Sequence, residues 1–130
     1  DLDLARIHFT GRLHYDQFVD MLSISSCHVY LTVPFVLSWS MLESMSLGCL
    51  LLASSTDPVK EVIDDSFNGF LCDFFDSEAM AHRASDLLAN RHDYQEIRDA
   101  ARQTIIDRYE RKVCLQQHLA LIQAAHHGLI

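Results

Sequence analysis

Positive charge is scarce in this chain. Ten Lys and Arg stand against eighteen Asp and Glu in 130 residues, a net charge of −8. Non-specific nucleic-acid binding rests on neutralising phosphates with Lys and Arg, so no nucleic-acid partner is expected. An anionic membrane surface is disfavoured for the same reason. Long apolar runs are also missing: none approaches the ~20 residues that a bilayer-spanning helix needs. The opening Asp1-Leu2-Asp3-Leu4-Ala5-Arg6 lacks the basic and apolar regions of a signal peptide. It starts in mid-pattern, as the edge of a fragment would. The four cysteines, Cys27, Cys49, Cys72 and Cys114, form no CxxC pair. They read as reduced thiols of a cytoplasmic protein rather than a zinc site or disulfide framework. No cluster has metal-ligand spacing, so no metal is expected, and no Ser–His–Asp triad is suggested. There is no repeat, low-complexity tract or linker. A composition of 49% apolar and 22% charged residues fits a single globular domain over residues 1–130.

Charge is scarcest in the middle. Between Asp20 and Asp57 the one formally charged residue is Glu43. Burying an unpaired carboxylate costs several kcal/mol, so this one needs a partner or a purpose. Around it the pattern is α/β. Ile7–Thr10 reads as a short strand ended by Gly11. Phe18, Met21 and Leu22 give Tyr15–Ser23 helical spacing. Cys27–Thr32 is a β-branched and aromatic strand run. The loop Val33–Leu37, broken by Pro34, leads to a helix that Ser38 caps and Gly48 stops. Cys49–Ser54 is continuously apolar, the mark of a parallel strand covered on both faces. Ser55-Thr56-Asp57-Pro58 starts a short helix. Asn68-Gly69 is the strongest signal in the turn Asp64–Gly69, and Phe70–Phe74 is a fourth strand.

From Asp76 the spacing is helical only. The three apolar faces are Met80/Ala84/Leu87/Leu88, Tyr94/Ile97/Ala101/Ile105 and Leu115/Leu119/Ile122, with breaks near Asn90 and Glu110. The expected fold is therefore a Rossmann-like parallel sheet with helices on both faces, followed by C-terminal helices. Four strands are few for such a sheet, which suggests further strands upstream.

The loop past a parallel strand's carboxyl end opens a helix whose first N–H groups are unpaired, a place that attracts phosphate. Glu43, about a turn and a half in, can accept hydrogen bonds from a polyol such as a ribose hydroxyl pair. It can equally pair with a buried partner for structure alone, and periodicity leaves both open. Trp39 reads as core or domain interface. Phe74 and Phe75 read as anchors of the following helix. Charges alternating from Arg98 to Lys112 read as a solvated face. The histidines read as structural or surface residues, His14 excepted because it follows the Gly11 loop.

The stretch Tyr30–Ser54, followed by Pro58-Val59-Lys60-Glu61-Val62-Ile63, Asn68-Gly69-Phe70-Leu71 and Asp73–Ala79, resembles the C-terminal half of group 1 (family 4) glycosyltransferases. Leu42-Glu43-Ser44-Met45-Ser46-Leu47-Gly48 matches the family's second-glutamate motif, and the similarity runs from about Phe9 to Leu121. The resemblance implies a GT-B architecture of two Rossmann-like domains facing a cleft, of which this chain would be the donor-binding half. It implies that Glu43 holds the nucleotide ribose. Val36, Leu37 and Ser38 would offer backbone amides to the donor's sugar and diphosphate, and Gly11, Arg12 and Leu13 would lie beside the nucleobase. No residue of the chain is assigned to catalysis.

The family's first glutamate falls on Phe35, which cannot accept a hydrogen bond from a sugar, so that role does not transfer. Stacking on a sugar face is open to it. The implied partners are a nucleotide-sugar donor and a missing N-terminal domain, which would carry the acceptor site. The implied reaction is sugar transfer with retention, without a cofactor, and the isolated chain would be inactive. Competing readings are a GT-B epimerase or phosphorylase fragment and a catalytically silent nucleotide-binding module. A receiver-like domain would need an acidic pair and a late lysine that are not found. The last helix, from Lys112 to Ala125, would expose an apolar face and could drive self-association.

Overall fold

A computed structural model describes residues 3–33 and 36–128. After a 3-10 turn at Leu4–Arg6 come α1 (Tyr15–Ile24), β1 (His28–Tyr30), α2 (Trp39–Ser46), β2 (Leu51–Ser54), α3 (Asp57–Lys60) and β3 (Phe70–Cys72). Three further helices follow: α4 (Ser77–Ala89), α5 (Gln95–Arg108) and α6 (Arg111–His126). The strands form one parallel sheet in the order β1-β2-β3, with Val29 opposite Leu52 and Ala53 opposite Leu71. Parallel neighbours need crossovers, which α2 and α3 supply.

Both faces of β2 are covered, and this explains its unbroken apolar run. Leu51 and Ala53 point to one side, where they meet Met41 and Met45 of α2, Val59 of α3, and Ala101 of α5. Leu50 and Leu52 point to the other, against Phe70 and Leu87 of α4. Each of the four is fully buried. Burial on this scale stabilises by roughly 1.5–3 kcal/mol per large side chain. The helix α5 spans both sides. Its start, near Tyr94 and Ile97, packs with the α4 group, while Ala101, Ile105 and the following Tyr109 pack with the α2 group.

Local signals act as expected at several ends. The Ser38 hydroxyl accepts from the Ser40 amide at 3.3 Å, and Gly48 follows α2 with φ +70°. In the turn before β3, Asn68 is buried. Its Nδ2 donates to the Val62 carbonyl (3.0 Å) and to Thr104 Oγ1 (3.1 Å), and its Oδ1 accepts from the Asp64 amide (2.8 Å). The left-handed residue of that turn is Ser66, at φ 63°.

Four expectations need correction. Ile7–Thr10 is not a strand but exposed, irregular chain after the 3-10 turn. A strand needs a hydrogen-bonding neighbour, and no described strand pairs with it, so the sheet has three strands. Trp39, read as core or domain interface, is 80% exposed, which excludes the core and leaves the interface reading open to it. Phe75 stacks edge-on against Phe74 at 5.0 Å but is itself exposed and anchors nothing. The Arg98–Lys112 charges are not simply solvated. Arg98 donates to the carbonyls of Gly48 (3.2 Å) and Ser26 (2.9 Å). Arg102 donates to Ser46 O, and Arg108 to Glu61 O at 3.1 Å.

Candidate functional site

The segment that joins β1 to α2 leaves the carboxyl end of β1 beside that of β2. Two side chains fix that segment at its shoulders. Ser54 Oγ, at the end of β2, accepts from the Thr32 amide (3.0 Å) and donates to the Thr32 carbonyl (3.1 Å). The Tyr30 hydroxyl accepts from the Ser38 amide at 2.9 Å. Beyond Ser38, α2 begins, and spacing of three and four residues puts Trp39, Leu42 and Glu43 on one side of it.

Opposite stand Tyr109 and the first turns of α6. The two sides enclose a cavity of about 640 Å³ lined by Trp39, Leu42, Glu43, Tyr109, Arg111, Cys114 and His118. Glu43 is half-buried. Among the described residues no Lys, Arg or His approaches its carboxylate within 4.0 Å; the one ion pair is His82–Glu78 at 3.9 Å. Its close neighbour is instead Tyr15, at the start of α1. Repulsion from the Glu43 carboxylate is the largest cause holding the Tyr15 phenol above its ordinary pKa of 10.0, with lost hydration and a side-chain hydrogen bond to Glu43 adding to it. A half-buried carboxylate with two acceptor oxygens can take the Tyr15 phenol and still accept from an incoming hydroxyl donor.

A second hollow, about 470 Å³, is lined by Arg12, Leu13, His14 and Tyr15. Tyr15 borders this hollow and feels the Glu43 carboxylate, so it relates the Gly11–Leu13 loop to α2. Gly11 sits at φ +61°, which an L-residue adopts with strain. Val36 is exposed, while Leu37 packs on the core beside Tyr30 and Met41. The Ser38 amide, expected to face a ligand, is already taken by Tyr30. Phe35 lies outside the described residues. Among those residues no three His, Cys, Asp or Glu converge as a metal site would require.

Tyr15, Arg111 and His118 escaped the sequence reading. Tyr15 carried only the signal of a helix start. Arg111, Cys114 and His118 do share one side of α6 by spacing, but nothing local says which surface that side meets.

A parallel sheet flanked by helices is the class of α/β domain in which ligands bind outside the carboxyl ends of the strands. Residues 2–104 match the family model described as Glycosyl transferases group 1, and the chain belongs to that family. It is similar to N-acetyl-alpha-D-glucosaminyl L-malate synthase of Bacillus anthracis, 22% identical over 113 residues that make up 87% of this chain and 29% of that protein. The solved structure of TarM is similar at 27% identity and a TM-score of 0.57, over 65% of this chain and 17% of TarM. The chain thus spans less than a third of the length of either relative.

Proposed function

We propose that the chain is the donor-binding part of a retaining glycosyltransferase that moves a sugar from a nucleotide-diphosphate sugar to an acceptor. One observation carries the reading: Glu43 lines a cavity beside the start of α2 and, among the described residues, is not spent on an internal ion pair. In this reading its carboxylate takes the paired hydroxyls of the nucleotide ribose. With the Ser38 amide engaged, the amides of Val36 and Leu37 meet the sugar and diphosphate. The Gly11–Leu13 loop flanks the base, with Tyr15 between the two subsites. Stabilising the departing diphosphate by amides and basic groups supplies much of the rate in such transfers. The acceptor site lies on a further N-terminal domain, the whole enzyme works in the cytoplasm, and no metal takes part.

The test is a titration of the chain with nucleoside diphosphates, followed by amide chemical shifts. Shifts are expected at Gly11–Leu13, Tyr15, Val36–Trp39 and Glu43, with millimolar affinity, and Glu43→Ala abolishes them. Shifts confined to other surfaces, or persisting unchanged in Glu43→Ala, overturn the assignment.

A further inference from the structure

At the opposite, amino-terminal end of the sheet lies a separate cavity of about 420 Å³ that includes Arg91, Arg98 and Arg102 in its lining, together with His92. Three guanidiniums in one hollow are unexpected in a chain of net charge −8. Asp99 is the one carboxylate in the lining, and its Oδ1 already accepts from Gln95 Nε2 at 2.9 Å. None of the three arginines has a carboxylate within 4.0 Å among the described residues.

Their positions are set by neutral acceptors instead. Arg98, half-buried, is held by the carbonyls of Gly48 and Ser26, and Arg102 by that of Ser46. Arg91 donates to Ser26 Oγ at 3.4 Å and to His92 Nε2 at 3.4 Å. A guanidinium carries five N–H donors, and these bonds use one or two of each. Among the described residues no carboxylate takes up the remaining donors, and all three residues line the cavity. Fixed guanidiniums recognise oxyanions through parallel, charge-assisted hydrogen bonds, and side chains already held lose little freedom on binding.

We propose that this hollow binds a phosphate group, carried by a soluble small molecule, at a site distinct from the Glu43 cavity and independent of the reading given for it. A phosphate on a lipid headgroup offers the same chemistry. The acidic balance of the rest of the chain opposes approach to an anionic membrane, so the soluble source is the one inferred.

The probe is inorganic phosphate, titrated at constant ionic strength against sodium chloride and followed by amide and guanidinium NMR shifts. Saturable shifts at Leu47, Gly48, Arg91, Arg98 and Arg102 are expected, with no change at Glu43. Arg91→Gln removes the least structural of the three and should weaken binding roughly tenfold, the loss that one charge-assisted bond implies. Its otherwise unaltered spectrum shows that the fold survives. Arg102→Gln gives an independent second reading of the same loss. Responses equal to those in chloride, or phosphate affinity unchanged in both variants, overturn the proposal. So does binding to phosphatidylcholine vesicles containing phosphatidate without any response to free phosphate.

Discussion

The two sides of α2 are built on opposite rules. On one, Met41 and Met45 are fully buried in the cluster around β2, and past the helix Arg98 and Arg102 draw in carbonyls that it and its glycine stop leave unpaired. On the other, Trp39 is largely exposed, and among the described residues Glu43 has no cation within 4.0 Å. One eight-residue helix thus has one side that holds the fold and another left open to contact. Substitutions should divide the same way.

The largest contrast is in stability. Met45→Ala should cost about 2–5 kcal/mol by denaturant unfolding, whereas Trp39→Ala should stay within about 0.5 kcal/mol. Equal losses would erase the distinction between the sides. Next comes Arg98→Ala, which strips donors from two backbone carbonyls in a half-buried setting and should cost about 1.5–3 kcal/mol. A neutral result would mean that water replaces the guanidinium there. Glu43→Gln should leave stability within about 0.5 kcal/mol while removing the response to nucleotides; a large loss of stability would move Glu43 to the structural side.

Smaller effects sharpen the comparison through pH. Glu43 raises the Tyr15 pKa, so the phenol's contribution to stability is intact below its ordinary pKa of 10.0 and is lost as pH rises through the folded value. Ultraviolet titration of tyrosine should find this ionisation at lower pH in Glu43→Gln. At the start of β1, burial lowers the His28 pKa from 6.5. Its contribution is intact above 6.5 and is lost as pH falls through the folded value. His28→Gln should therefore flatten the dependence of Tm on pH in mildly acidic buffer. The smallest stability change belongs to α6, where Leu115, Leu119 and Ile122 are exposed. Leu119→Glu should alter stability by less than about 0.5 kcal/mol yet lower any self-association seen by sedimentation.

How far the sequence could be read follows from the range of the forces involved. The β2 strand was legible because burial on both faces writes an apolar residue at every position from Cys49 to Ala53. The helix ends were legible because capping by Ser38 and stopping at Gly48 are local events. Ile7–Thr10 misled because β-propensity says nothing about whether a pairing edge exists. Glu43 could be singled out by its isolation in a neutral stretch, but its neighbours could not. Tyr15 meets it from 28 positions upstream and His118 shares its cavity from 75 positions downstream, separations that no periodicity encodes. The arginines of α5 were misjudged for a related reason. Alternating charge looks the same whether guanidiniums point to water or to the carbonyls of a distant loop.

The setting of Asn68 has a consequence for chemical ageing. An asparagine followed by glycine is the pair in which the next backbone nitrogen attacks the carboxamide most easily, giving a succinimide and then aspartate or isoaspartate. Here that carboxamide is buried and engaged at both its oxygen and its nitrogen. The reaction must wait for the turn to open, so deamidation at Asn68 in stored protein becomes a slow clock of local unfolding beside α5.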